Sequence, residues 1–306
     1  MNYQELWING PVDEPHQRGC SSRYESIKSV AERYNRPFSV FDFGGNFGYF
    51  SLRLSQEFDA FCAILDNKEA ASIIRQNDPS KIVSMKAHID SKVLLWLAKS
   101  EHFDIVLALS VLHHMDDWEA ALDALLMMGD TVLVEIPGTD EPTAVNSAAH
   151  KDIYDKVKSL AVGELSAEFS HLGASRTIFE LRGKSVIEMQ SIDALQRQAP
   201  SVDVKIESDY DKAMISISHG GASPSNEIRP LIPGMNLWNW KLLNGNHPLD
   251  VAEMVDEAVK SLPSGHDDMM PWNFLIDGGK VIPIDYDNKD FREGSFDTGK
   301  LIEMLK

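Results

Sequence analysis

The chain has 306 residues, 43% of them hydrophobic, enough for a packed core and too many for a disordered or fibrous protein. Its 29 Lys+Arg against 47 Asp+Glu leave a formal charge of −18, which repels a polyphosphate backbone and makes extended nucleic acid an unfavourable partner. Cys20 and Cys62 cannot build a disulfide framework, no apolar stretch reaches the roughly 18 residues of a membrane span, and Met1-Asn2-Tyr3-Gln4-Glu5 lacks a signal-peptide pattern, so the expectation is a soluble, cytoplasmic protein.

The pattern predicts a helix over Ser22–Tyr34, capped by Ser21 or Ser22, then a strand over Phe38–Phe43 stopped by Gly44-Gly45. Helix and strand then alternate: Phe47–Glu57 helix, Ala60–Leu65 strand, Lys68–Gln76 helix, Lys81–Lys86 strand, Ser91–Lys99 helix, Phe103–Leu109 strand, Trp118–Met128 helix and Thr131–Ile136 strand. Asp116-Asp117 is expected to cap the helix at Trp118. Continuous apolar strands, each followed by a helix, are what a parallel sheet covered on both faces requires. The fold class is therefore α/β, a Rossmann-like doubly wound sheet. Past Pro137 the pattern predicts a helix over Val145–Val162, a short one over Ser191–Gln198, and a closing pair of strands at Arg176–Leu181 and Lys212–Ser218. A Gly/Pro/Ser-rich stretch, His219–Asn236, marks a boundary, giving a domain of residues 1–219 and a smaller segment of residues 220–306. That segment holds predicted helices at Leu249–Ser261 and Asp297–Leu305.

The first buried strand ends Phe41-Asp42-Phe43-Gly44-Gly45-Asn46-Phe47-Gly48, where an α/β sheet places a small ligand against a helix N-terminus. A dinucleotide fingerprint ending at Gly48 needs glycine at position 43, which is Phe, so the loop reads D-x-G-x-N-x-G through Asp42, Gly44, Asn46 and Gly48. It resembles motif I of the class I S-adenosylmethionine-dependent methyltransferases, with Asn46 where glycine is more usual. Further segments agree in order: Asp66 at the tip of the second strand, His88-Ile89-Asp90 after the third, Phe103-Asp104-Ile105-Val106 running into Ser110-Val111-Leu112-His113-His114 at the fourth, and Asp130–Glu135 at the fifth. The resemblance spans residues 24–219 and implies S-adenosylmethionine as cofactor, held by Asp42, Gly44, Gly45, Asn46, Gly48, Asp66, Asp90 and Ser110. Within it Asp66 accepts the ribose hydroxyls and Asp90 the adenine amino group.

Methyl transfer asks mainly for alignment, with a general base only where the acceptor must lose a proton. His113, His114 and Glu135 are the candidate catalytic residues; each also has a plain structural reading as packing, capping or backbone-bonding group. Arg23 and Tyr24, on the helix before the glycine loop, are candidates to meet the cofactor's carboxylate or to form a solvated helix face. Trp238-Asn239-Trp240 reads as packing rather than as a substrate platform, and Cys62 as core.

Near the end, His266-Asp267-Asp268 and Asn273-Phe274-Leu275, followed past Gly278-Gly279 by Ile284-Asp285, resemble the catalytic and metal loops of the aminoglycoside phosphotransferase and choline kinase branch of the kinase-like fold. By that resemblance Asp268 is a base beside His266, and Asn273 and Asp285 hold Mg²⁺. No convincing phosphate loop and lysine lie upstream, which leaves a piece of a larger fusion, a remnant, or a chance match. Bifunctional methyltransferase–kinases that cap polysaccharide chains share this order of domains, which makes a small molecule or a glycan, phosphorylated or not, the expected acceptor. The alternatives are a phosphotransferase fragment and a non-catalytic binding module.

Overall fold

The computed structural model describes residues 2–306 except 68–72, 74–75, 78–80, 89, 99–100, 140, 142–146, 170–172, 174, 185–203, 210–213, 220–224, 231–232, 244, 247–249, 263–270, 278, 284–300, 302 and 304–306. In chain order its elements are β1 (Asn2–Gln4), β2 (His16–Arg18), α1 (Ser21–Ala31), β3 (Ser39–Phe43), α2 (Tyr49–Phe58), β4 (Phe61–Asp66), β5 (Ile82–Lys86), α3 (Ser91–Leu97), β6 (Phe103–Leu109), α4 (Trp118–Met128), β7 (Gly129–Pro137), α5 (Ser147–Leu160), β8 (Ala161–Phe169) and β9 (Ser175–Arg182). There follow β10 (Val204–Asp209), β11 (Met214–His219), β12 (Ser225–Pro230), β13 (Met235–Asn236), α6 (Leu237–Leu242), β14 (Gly245–Asn246), α7 (Val251–Lys260), β15 (Phe274–Ile276) and β16 (Val281–Pro283). The predicted helices at 191–198 and, for the most part, at 68–76 and 297–305 lie outside the described residues.

The chain forms two compact units, Met1–Ile89 with Gly234–Lys306, and Asp90–Pro233. In the first, β3, β4 and β5 are parallel neighbours, and β14 runs antiparallel to β5. Every residue of β3 and β4 is buried, as strands covered on both faces must be, which is why they read as unbroken apolar runs. A parallel pair β1–β2 and an antiparallel sheet β13–β15–β16 complete this unit.

In the second unit β6 and β7 are parallel, while β9 runs antiparallel to β7 and β8 antiparallel to β9. The alternation of parallel strands with helices is the α/β, Rossmann-like class expected from the sequence. Three details differ. The predicted 145–162 helix ends at Leu160, and the chain turns directly into β8, which closes against β9 in place of the 212–218 segment. That segment is β11, the middle of a separate antiparallel sheet β10–β11–β12, whose last strand falls within the Gly/Pro/Ser-rich stretch. The third concerns caps: Cys20, not a serine, occupies the N-cap of α1, and Asp117 makes no side-chain cap bond on α4. The Asp117 carboxylate instead accepts from the Ser91 hydroxyl at the start of α3.

The β7 start is tightly constrained. A Cβ at Gly129 would lie 2.5 Å from Val106 Cγ2, on a fully buried, β-branched side chain of β6 that has little rotamer freedom to give way. Gly129→Ala is therefore expected to destabilise the protein by about 1–3 kcal/mol. Urea unfolding checks this: the midpoint falls at unchanged slope, and an unaltered midpoint contradicts the packing described.

Candidate functional site

In the first unit the turn from β3 into α2 is built of left-handed residues. Gly44, Asn46 and Gly48 have φ of +73°, +55° and +78°. Asparagine is the non-glycine residue that best tolerates this region, which explains how Asn46 replaces the more usual glycine without disturbing the loop. Gly45 is required for a different reason: a Cβ there would meet the Asp42 carboxyl at 2.7 Å and Ile64 at 2.9 Å. Gly48 is held by both constraints, since its Cβ would fall 2.6 Å from Ile64 Cδ1.

Around this turn the candidate residues take distinct places. The Asn46 backbone N–H donates to Asp66 Oδ2 at 2.8 Å, so the acid at the tip of β4 is fixed against the loop. Gly44 N–H donates to the Leu65 carbonyl at 2.8 Å, tying the same loop to the same strand end. Asn46 Oδ1 is buried and has no hydrogen-bond partner among the described residues. A buried acceptor without a donor costs stability unless a ligand supplies one, and S-adenosylmethionine carries hydroxyl and ammonium donors. The close glycine packing, the tip carboxylate and this orphan acceptor fit that cofactor. Asp42 is beneath the loop, accepting from the Ser51 hydroxyl at 2.7 Å. Its carboxyl is pushed up from 3.8 to about 7 by burial, opposed by the Ser51 hydrogen bond and aided by the nearby Asp66.

The amino-terminal segment belongs to this site, which the sequence did not reveal. Buried Gln4 donates from Nε2 to the Gly45 carbonyl at 3.3 Å. The segment is anchored by Trp7 Nε1 on Gln56 Oε1 at 2.6 Å, by Trp7 O on Asn77 Nδ2 at 3.0 Å, and by Glu5, which accepts from the Cys20 N–H at 2.9 Å. Arg53 stacks over both Tyr24, at 3.6 Å, and Trp7, at 4.6 Å. Arg23 is buried, donating to the Gly19 carbonyl at 2.9 Å and to Cys20 Sγ at 3.2 Å; it braces the end of this segment and is not a solvated helix face.

In the second unit Asp90 caps α3, its Oδ1 accepting from Val93 N–H at 2.9 Å. Ser110, just past β6, is held at φ +59°, its N–H on the Glu135 carbonyl at 2.9 Å and its hydroxyl on the Glu135 carboxylate. Glu135 is 0% exposed, so its carboxylate orients Ser110 from within β7. Arg176 of β9 adds a donor to Ser110 Oγ at 2.9 Å and grips Glu141 through Nε and Nη2 at 2.9 and 2.5 Å. His113 is buried, with its ring 4.1 Å from that of His114 and 5.4 Å, edge-on, from that of His150. Exposed His114 has its pKa lowered by partial burial, then by the charges of Arg176 and His150, so it is neutral at neutral pH. Arg176, Glu141 and His150 were not singled out in the sequence. Arg176 left a trace there, as a cation at the head of an apolar strand.

Of the kinase-like set, Asn273 is buried in a single 3₁₀ turn, Pro271–Asn273, that leads into the antiparallel β15–β16 hairpin. His266, Asp268 and Asp285 lie outside the described residues. Among the described residues no three His, Cys, Asp or Glu side chains group as a metal site. No helix is long and apolar enough to cross a membrane among those residues. Trp240 is buried, in keeping with packing.

No protein-family model and no curated protein matches the chain. Solved structures similar to it include the bifunctional kinase-methyltransferase WbdD, at 17% identity over 92% of this chain and 80% of that one, with a TM-score of 0.48. Magnesium protoporphyrin IX methyltransferase (ChlM) from Synechocystis PCC 6803 with bound SAM matches at 17% identity over 53% of this chain and 81% of its own, TM-score 0.39. The [4+2]-cyclase SpnF matches at 13% identity over 52% and 81%, TM-score 0.38.

Because Asp42 is neutral in the folded protein up to about pH 7 and ionises near 3.8 when unfolded, it stabilises fully below pH 3.8 and loses that contribution as pH rises to about 7. The loss amounts to roughly 4 kcal/mol at most. Asp42→Asn keeps an acceptor for Ser51 without the proton. Urea unfolding at pH 5 and pH 8 should give the variant a flatter pH profile and, at pH 8, a higher midpoint than wild type. Parallel profiles contradict a buried neutral Asp42.

Proposed function

We propose that the protein binds S-adenosylmethionine at the glycine turn of its first unit and transfers the methyl group to a small-molecule or glycan acceptor. The observation that carries this reading is the Asp66 carboxylate, fixed at a strand tip by the Asn46 N–H beside the orphan Asn46 Oδ1. Asp66 accepts hydrogen bonds from the ribose hydroxyls, and Gly44, Gly45 and Gly48 let the backbone come close. When bound, the cofactor supplies a methyl group on a sulfonium, already a strong leaving group. The chain's residues then contribute alignment, worth about 7–11 kcal/mol in well-oriented reactions.

His114, neutral near pH 7, takes the acceptor's proton where there is one to lose. His113 positions it through ring contact, while Glu135 holds Ser110. The order of motifs along the chain supports this reading. Asn273 ahead of the β15–β16 hairpin supports a kinase-like scaffold in the carboxy-terminal segment, and no phosphotransfer or Mg²⁺ step is derived from it.

Calorimetry tests the cofactor assignment: wild type binds S-adenosylmethionine, and Asp66→Ala binds about a hundredfold more weakly because hydrogen bonds to a charged acceptor are lost. Equal affinities contradict it. With an acceptor in hand, His114→Ala should lower turnover by 10²–10⁴-fold at unchanged cofactor affinity. Wild-type turnover should fall at acidic pH, below the usual imidazole range, where His114 takes up a proton. A pH-independent rate contradicts the base.

A further inference from the structure

The peptide unit between Gly45 and Asn46 is gripped at both ends by side chains from distant parts of the first unit. Its carbonyl accepts from Gln4 Nε2 at 3.3 Å, and its N–H donates to Asp66 Oδ2 at 2.8 Å. A peptide is a rigid plane, so fixing the carbonyl fixes the direction of the N–H on the opposite edge. Asn46 lies at φ +55°, a region from which even asparagine relaxes readily when contacts loosen. Gln4 is buried and has a fixed position: β1 pairs with β2 with Gln4 opposite Arg18, and the segment that follows is tied down at Glu5, Trp7 and Asn9. Asn9 N–H donates to Asn77 Oδ1 at 2.7 Å, and the Asn77 amide returns to the Trp7 carbonyl.

We infer that Gln4 is a positioning residue of the cofactor site: by clamping the Gly45 carbonyl it aims the Asn46 N–H at Asp66 and so presents the Asp66 carboxylate to a ribose diol. The strand that carries Gln4 is thereby a working part of the binding loop, although 41 residues separate the two ends of the hydrogen bond. This deepens the S-adenosylmethionine reading and rests on it. The clamp itself exists before any ligand arrives.

Hydrogen exchange of the Asn46 amide in the ligand-free chain reads the clamp directly. Gln4→Ala should raise the exchange rate of that amide at least tenfold while the Cys62 amide, bonded to the Lys81 carbonyl in the β4–β5 ladder, stays protected. Gln56→Ala, which removes the acceptor of the Trp7 indole but leaves Gln4 in place, should leave Asn46 protected. Gln4→Glu puts a carboxylate against a carbonyl at pH 8 and regains a donor when protonated. Its affinity for S-adenosylmethionine should be about tenfold below wild type at pH 8 and recover relative to wild type at pH 5, with Gln4→Ala weak at both.

Unchanged Asn46 exchange in Gln4→Ala, equal loss of protection in Gln56→Ala, or full wild-type affinity in both Gln4 variants overturns the inference. Failure of the wild type to bind S-adenosylmethionine would instead count against the function proposed above, and the exchange measurements would still decide the clamp.

Discussion

The first unit is organised around a single polar contact, the backbone N–H of Asn46 on the Asp66 carboxylate. Nearby constraints either create this contact or follow from it. Three left-handed residues within five positions bend the chain sharply enough to bring an amide over a strand tip. Gly45 and Gly48 lie so close to Asp42 and Ile64 that no side chain could replace them. Burial pushes the Asp42 carboxyl beneath the loop up to about 7, so it keeps its proton at mildly acidic pH and gives it up as pH rises past neutrality. Gln4 closes the arrangement from the amino terminus.

The second unit solves a different problem, that of keeping polar chemistry inside an apolar sheet. Glu135 and Arg176 are both buried, and each is satisfied through Ser110 or Glu141. Ser110 pays for its left-handed backbone with bonds from both its N–H and its hydroxyl. The Arg176 charge helps keep the exposed His114 ring neutral, and the buried His113 ring lies against it and, edge-on, against that of His150. Such groups are poor stabilisers of a fold but well suited to handling a proton.

Much of this could be read from the sequence because some constraints leave local marks. Glycines that cannot carry a Cβ, an acid ending an apolar strand, and a strand running into Ser110-Val111-Leu112-His113-His114 are all contiguous signals. Gln4, Glu141, His150 and Arg176 left little or none, since each acts on residues 35 or more positions away or across a helix-to-strand packing that no local period encodes. Only Ala161 and Val162 of β8 read as the end of a helix, and the remainder gives no strand signal, because it is an outer strand whose exposed Val162 and interspersed Glu residues break the apolar alternation. Asp117 does stand at the N-cap of α4, but its carboxylate accepts from Ser91 and not from its own helix.

The most direct test of the account is a backbone-amide NMR titration of the whole chain with S-adenosylhomocysteine. The account predicts that the amides of Gly44 to Gly48 and of Asp66 shift together, along one saturating curve. Amides that stay unmoved there while the compound binds elsewhere, or not at all, would contradict it.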